Sequence, residues 1–201
     1  MLDEDVLRNW NLGVQVVKKG HSSLFRHSIP GIGNVYVKRY IPNTRKWFRT
    51  LCTSNAIREC KNSFIMSGLG IEQPECVLAC VVRDSLKRTN CGIYVTREVE
   101  GATALRTILD GMSSDFTGYT LEDIARSVLN VLDILHNSKY CHWDFKPRNI
   151  LVAEGQHGPS IVPIDSRSLS RMYFFNRRAY IFRDYKFLMQ EPLLKDLLLK
   201  Y

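Results

Sequence analysis

Apolar and polar positions change rhythm along the chain. They alternate over Val14 to Lys18, Leu24 to Ser28 and Asn34 to Tyr40, and these runs are separated by Gly20-His21-Ser22-Ser23 and Pro30-Gly31-Ile32-Gly33. A period of two between turn residues predicts three strands in a meander, not a βαβ unit. Pro42 and Asn43 close the meander. A helical rhythm follows from Ser54 to Ser67, with Ser54 as N-cap, Gly68 and Gly70 as stop signals, and Ile57, Cys60, Phe64 and Ile65 as the expected inner face. Glu75 to Val82 and Gly92 to Glu98 read as two more strands, joined by the polar turn Arg83 to Asn90.

After Gly101 the rhythm is mainly helical. The clearest helix runs from Thr120 to Asn137, with Leu121, Ile124, Val128, Val131 or Leu132, and Leu135 at helical spacing, and Thr120 with Asp123 as a capping box. A loop from Tyr140 to Asn149 leads into the strands Ile150 to Ala153 and Ser160 to Ile164, joined by a turn through Gly155 to Pro159. The order of five strands with one inserted helix, followed by a mainly helical half, predicts an α+β domain with two lobes, residues 1–100 and 101–201. At 201 residues these lobes form one unit, not two independent domains.

Composition adds little to the fold and more to the setting. With 45% hydrophobic and 24% charged residues the chain reads as globular. The segment Met1 to Trp10 is acidic and mixed, unlike a secretory leader, and no apolar run approaches the roughly 20 residues of a membrane helix. The expectation is an intracellular, cytoplasmic protein, soluble or peripheral. Six cysteines, Cys52, Cys60, Cys76, Cys80, Cys91 and Cys141, include no CxxC pair, which argues against a zinc knuckle and for reduced thiols. The net charge is +8, and from Ser166 onward eight basic residues face three acidic ones. A basic tail suits an acidic partner, such as a phosphorylated glycolipid, an anionic membrane face or nucleic acid, or is simply a solvated surface.

Candidate chemistry is concentrated in His142-Trp143-Asp144-Phe145-Lys146-Pro147-Arg148-Asn149. This matches the H-x-D-x-K-x-x-N pattern of kinase catalytic loops. The spacing suits phosphoryl transfer: Asp144 orients an attacking hydroxyl and accepts its proton, Asn149 turns back to hold magnesium, and Lys146 neutralises charge on the moving group. His142 is expected to support the loop by hydrogen bonding. Asp165 ends an apolar strand 16 residues after Asn149 and is the natural second magnesium ligand. Lys38, in Val35-Tyr36-Val37-Lys38, resembles the strand lysine that contacts nucleotide phosphates. A buried lysine needs a carboxylate, and Glu59 supplies one, although Arg58-Glu59 also reads as a surface pair. Gly20 and Ser22 lie where kinases carry a phosphate-covering glycine loop, with only one glycine here.

These residues resemble the protein-kinase-like superfamily. Within it, Arg58-Glu59, Gly70-Ile71 with Pro74, Tyr94-Val95-Thr96 leading into Glu98 and Gly101, and Ile164-Asp165 without Phe-Gly are similar to the lipopolysaccharide core kinases of heptose and Kdo sugars. The resemblance implies ATP and Mg2+ as cofactors, Thr96 at the back of the adenine pocket, and the backbone from Arg97 to Glu100, Glu98 included, along the adenine edge. It also implies a sugar or glycolipid acceptor and no nucleic acid. About 36 residues follow Asp165, which favours a small acceptor over a peptide-docking platform. Lys146-Pro147 keeps a protein Ser/Thr kinase open, and the weak glycine loop keeps open a pseudokinase that binds nucleotide or a partner. Leu193, Leu194, Leu197, Leu198 and Leu199 form a terminal helix that either leans on a membrane or packs on its own domain.

Overall fold

The computed structural model describes residues 14–19, 22–41, 54–83, 89–111, 118–173, 175 and 177–200. Gly20, Pro42, Asn43 and Cys52, singled out above, lie outside the described residues. Two compact units are present, Met1–Lys61 with Pro74–Glu98, and Asn62–Gln73 with Val99–Tyr201.

The first unit is built on an antiparallel sheet in the order β1-β2-β3-β5-β4. Its strands are β1 (Val14–Lys19), β2 (Ser22–Ile29), β3 (Gly33–Tyr40), β4 (Cys76–Arg83) and β5 (Thr89–Arg97). Alternation sorts β3 onto two faces. Val35 and Val37 pack with Cys91, Ile93 and Val95 of β5, while Tyr40 and Tyr94 on the other face enclose Ala56 of helix α1 (Asn55–Gly68). Gly92 pairs with Tyr40. A Cβ at this glycine would overlap Ser54 Oγ and stand 3.0 Å from Ala56 Cβ, so the start of α1 reaches the sheet only because position 92 has no side chain. Ser54 Oγ accepts from Ala56 N at 3.3 Å, as expected of the cap.

The inner face of α1 differs from the sequence expectation. Ala56, Glu59, Asn62, Ser63 and Met66 are buried, whereas Phe64 is 65% exposed. Of the expected face, Cys60 and Ile65 do pack inward, half-buried, and the polar residues join them because Glu59 and Asn62 have partners there. At the far end of the sheet Glu98 accepts from Arg26 Nε at 2.9 Å and Nη2 at 2.7 Å, and from Tyr36 Oη at 3.0 Å. Chiefly through the Arg26 hydrogen bond, the Glu98 carboxyl is held below its usual range. Burial, with Cys60 beside it, pushes the Cys76 thiol up to about 12.

The second unit contains β6 (Thr103–Ala104), α2 (Leu105–Leu109), α3 (Leu121–Asn137), β7 (Tyr140–Cys141), β8 (Ile150–Gly155), β9 (Gly158–Pro163), β10 (Ser170–Arg171), α4 (Arg177–Leu188) and α5 (Pro192–Leu198). Strands β6, β8 and β9 form one small sheet, and β7 with β10 another. Ile124, Val128, Leu132 and Leu135 of α3 are fully buried in a core shared with Met66, Phe145, Ile150, Leu188 and Leu194. The capping box is present: Thr120 Oγ1 accepts from Asp123 N, and Asp123 Oδ2 accepts from Thr120 N, both at 3.1 Å. Gly155 pairs with Gly158, so the turn predicted over five residues is only Gln156-His157. The Leu-rich terminal helix packs on its own unit through Leu194 and Leu198, leaving Leu193 and Leu199 exposed.

Two outcomes test this account. Thr120→Ala removes one acceptor of the capping box, and the unfolding free energy from urea titration should fall by about 1 kcal/mol with an unchanged m-value. For Glu98, a lowered carboxyl value means that the ion pair stabilises the fold above the ordinary carboxylate range and that this contribution is lost as pH falls through the lowered value. Glu98→Gln should therefore melt below the parent at neutral pH, and the two melting curves should converge in acid below about pH 4.

Candidate active site

In the first unit, Lys38 and Glu59 meet. Lys38 Nζ is 3.0 Å from Glu59 Oε1, and the Glu59 side chain is 4% exposed. A carboxylate this buried needs several donors, and the Tyr40 hydroxyl supplies another, to Oε2. The Lys38 ammonium also lies 5.4 Å from the Tyr40 ring centre. Glu59 is therefore the partner of the strand lysine and not half of a surface pair. Thr96 is half-buried across from Tyr36 on β3. The N–H groups of Arg97 and Glu98 donate to Glu75 O and Asn34 O, each at 2.9 Å. Ser22 and Ser23 are strand residues paired with Lys19 and Lys18, so the turn predicted over residues 20–23 is shorter than expected.

In the second unit, the 140–149 loop is fixed mainly through its backbone. Asp184 of α4 has no solvent exposure. Its Oδ2 accepts from His142 N at 3.0 Å, its Oδ1 accepts from Trp143 N at 2.8 Å, and His136 Nε2 stands 3.1 Å from Oδ2. Trp143 adopts a left-handed backbone with φ of 63°, a conformation that a bulky residue rarely takes without outside support. The Asp184 contacts, a hydrogen bond from Trp143 Nε1 to Ser170 Oγ, Tyr180 edge-on at 4.9 Å and Arg183 over the indole at 4.4 Å supply it. The His142 ring is buried and packs edge-on against Phe145 at 5.6 Å. The expected hydrogen-bonding support of the loop at His142 is made by its backbone N–H to Asp184.

Asp144 is thereby turned to a partly open position, with its side chain 21% exposed. Lys146 Nζ pairs with Asp144 Oδ1 and lies 4.5 Å from the Phe187 ring centre. Asn149, on the 3-10 turn Pro147–Asn149, donates from Nδ2 to Asp144 Oδ2 and to Asp144 O, both at 3.0 Å. Because the amide nitrogen is used this way, the amide oxygen of Asn149 remains as an oxygen donor. Asn149 O accepts from Ile164 N at 2.8 Å, one step beyond the Ile150–Pro163 pair of the β8–β9 hairpin. One end of one hairpin thus carries Asn149 and Asp165, and Asn149 ties them to Asp144.

Asp165 has φ of 60° and ψ of 43°, a left-handed conformation that Asp tolerates. Arg167 Nε is 3.2 Å from its Oδ1. The 3-10 turn Ser166–Ser168 follows directly, closed by Leu169 N donating to Ser166 O at 2.9 Å. Asn62 Nδ2 clasps both ends of that turn, 2.8 Å from Ser166 O and 3.3 Å from Leu169 O.

Asp184, Asn62 and Arg167 were missed by sequence reasoning. Asp184 had a readable signal, being the single acidic residue from Ser166 to Gln190 amid six basic ones. Asn62 had a weaker one, lying one turn after Glu59 on the same stripe. Among the described residues no cluster of three or more His, Cys, Asp or Glu is arranged to hold a metal. The oxygen donors here are one amide and isolated carboxylates.

The model of the lipopolysaccharide kinase (Kdo/WaaP) family matches residues 19–180. No curated protein matches. Among solved structures, one described as WaaP in complex with acyl carrier protein is similar with a TM-score of 0.65 at 13% identity, covering 100% of this chain and 88% of the other. The Rio2 kinase of Chaetomium thermophilum, in an ADP/Mg2+-phosphoaspartate complex, is similar with a TM-score of 0.59 at 16% identity, covering 92% of this chain and 59% of the other. These likenesses establish a protein-kinase-like fold, and with its match over residues 19–180 the chain belongs to the lipopolysaccharide kinase (Kdo/WaaP) family.

Proposed function

We propose that this kinase transfers the γ-phosphoryl group of ATP to a hydroxyl of a lipopolysaccharide inner-core sugar, heptose or Kdo, at the cytoplasmic face of an anionic membrane. The observation that carries the reading is the joining of Asp144, Asn149 and the strand end bearing Asp165, through Asn149 bonds of 3.0 Å and 2.8 Å.

Each side chain then has a task. Asp144 orients the acceptor hydroxyl and takes its proton; each carboxylate oxygen has a second lone-pair site beyond its bond to Asn149 or Lys146. Lys38, held by Glu59 and Tyr40, positions the nucleotide phosphates. Lys146 sits beside Asp144 as a counter-charge for the moving phosphoryl group. Magnesium, when bound with the nucleotide, neutralises phosphate charge. The Asn149 amide oxygen and the Asp165 carboxylate suit it, because Mg2+ favours hard oxygens and needs only one or two protein groups beside water and phosphate. Thr96 and the backbone groups of residues 97–100 not already used within the sheet face the adenine. Glu98 contributes its backbone there, since its side chain serves as a brace for Arg26 and Tyr36.

The built Lys38–Glu59 pair and the joined Asp144–Asn149 pair favour turnover over the pseudokinase alternative. Asp144→Ala should lower kcat about 10²–10⁴-fold on lipopolysaccharide lacking core phosphate while ATP binding persists. Asp165→Ala should instead lose magnesium-dependent nucleotide affinity. Parent-like phosphotransfer by Asp144→Ala removes the assignment. Asn62→Leu keeps the side-chain volume but cuts the clasp behind Asp165. The Mg2+ concentration for half-maximal rate should rise about 10-fold or more, as when an outer-shell partner is lost. An unchanged Mg2+ profile would make Asn62 a packing residue only.

A further inference from the structure

Helix α4 has two chemically different faces. Tyr180, Asp184 and Phe187 turn toward the 140–149 loop: Tyr180 against Trp143, Asp184 under the His142 and Trp143 amides, and Phe187 beneath Lys146. Arg178, Phe182 and Lys186, spaced i, i+4 and i+8 and therefore aligned, are exposed on another face. Phe182 is 70% exposed, and just before the helix Phe175 is 92% and Tyr173 67% exposed. Three large rings this exposed within ten residues are not what a solvated surface selects.

The charge beside them is one-sided. From Ser166 to Gln190 the chain carries six basic residues and one acidic residue, and that residue, Asp184, has no solvent exposure. The surface of this segment therefore presents cations and aromatic rings with no exposed carboxylate of its own. Rings that seat at the headgroup level beside cations that meet lipid phosphates are the composition of an interfacial membrane contact. Among the described residues no helix is long and apolar enough to cross a membrane, so attachment by this segment is peripheral.

We infer that the outer face of α4, with Tyr173 and Phe175, docks on an anionic phospholipid surface. The inference rests on the proposed lipid-linked acceptor and deepens it. The inner face of the same helix grips the loop bearing Asp144, so docking brings that loop to within the thickness of one helix, about 10–12 Å, of the bilayer. A hydroxyl close to the lipid, and not one on a distal sugar, is then within reach.

The test is co-sedimentation, without nucleotide, with vesicles of equal parts phosphatidylglycerol and phosphatidylethanolamine, and with vesicles of phosphatidylcholine alone. The parent protein should partition at least about ten-fold better onto the anionic vesicles and lose that preference in high salt. Phe175→Ser/Phe182→Ser and Arg178→Glu/Lys186→Glu should each lower partitioning about ten-fold or more while melting like the parent. Asp144→Ala should bind these vesicles like the parent, so failure of docking and failure of the phosphotransfer reading are seen separately. Equal binding to both vesicle types, or double variants that bind like the parent, would overturn the inference. So would loss of binding to an acidic globular protein in those variants with no vesicle binding in the parent.

Discussion

A carboxylate cut off from water has to gather its donors from the protein around it. Asp184 gathers two of them from consecutive backbone amides, those of His142 and Trp143, and stands within hydrogen-bond distance of His136. That single constraint sets the path of the chain just before Asp144. It lets Trp143 keep a left-handed backbone, and it determines which way the next side chain points. The loop is thus held from behind by a residue about 40 positions downstream, and the catalytic assignments depend on that grip.

Helix α1 does comparable work through side chains one turn apart. Glu59 fixes Lys38 in the first unit, and Asn62 closes the turn behind Asp165 in the second. A polar stripe buried on a helix costs stability unless every group on it is paired. Here the pairing is what positions the lysine proposed to bind phosphate and a candidate metal ligand. The Asp-Ser-Arg sequence at 165–167, where protein kinases place Asp-Phe-Gly, fits this arrangement. The backbone after Asp165 is held by a hydrogen-bonding clasp, whereas an aromatic residue in that place would be held by packing.

Much of this was legible in the sequence because it is local. The strands, both major helices, the capping box and the Asp144-to-Asn149 loop follow from periodicity and spacing within short windows. The Lys38–Glu59 pair was legible because a strand lysine and the inserted helix leave few partners. What escaped was long-range or ambiguous. Asp184 acts over more than 40 residues, and nothing local marks its targets. On α1 the expected Cys60 and Ile65 do pack inward, but Phe64 does not, and Glu59 and Asn62 are buried because hydrogen bonding, which periodicity does not show, compensates them. Ser22 and Ser23 were placed in a turn because small polar residues follow a glycine, yet pairing with β1 and β3 extends the strand through them.

The most direct test of the central claim combines amide hydrogen exchange with turnover in Asp184→Asn. This variant preserves shape but leaves a single acceptor oxygen where two are used. The account predicts that exchange at His142 or Trp143 speeds up by about ten-fold or more and that kcat falls by at least about ten-fold, while the KM for ATP changes little. Parent-like protection of both amides with parent-like turnover would show that the loop holds its shape without the buried carboxylate, and would contradict the account.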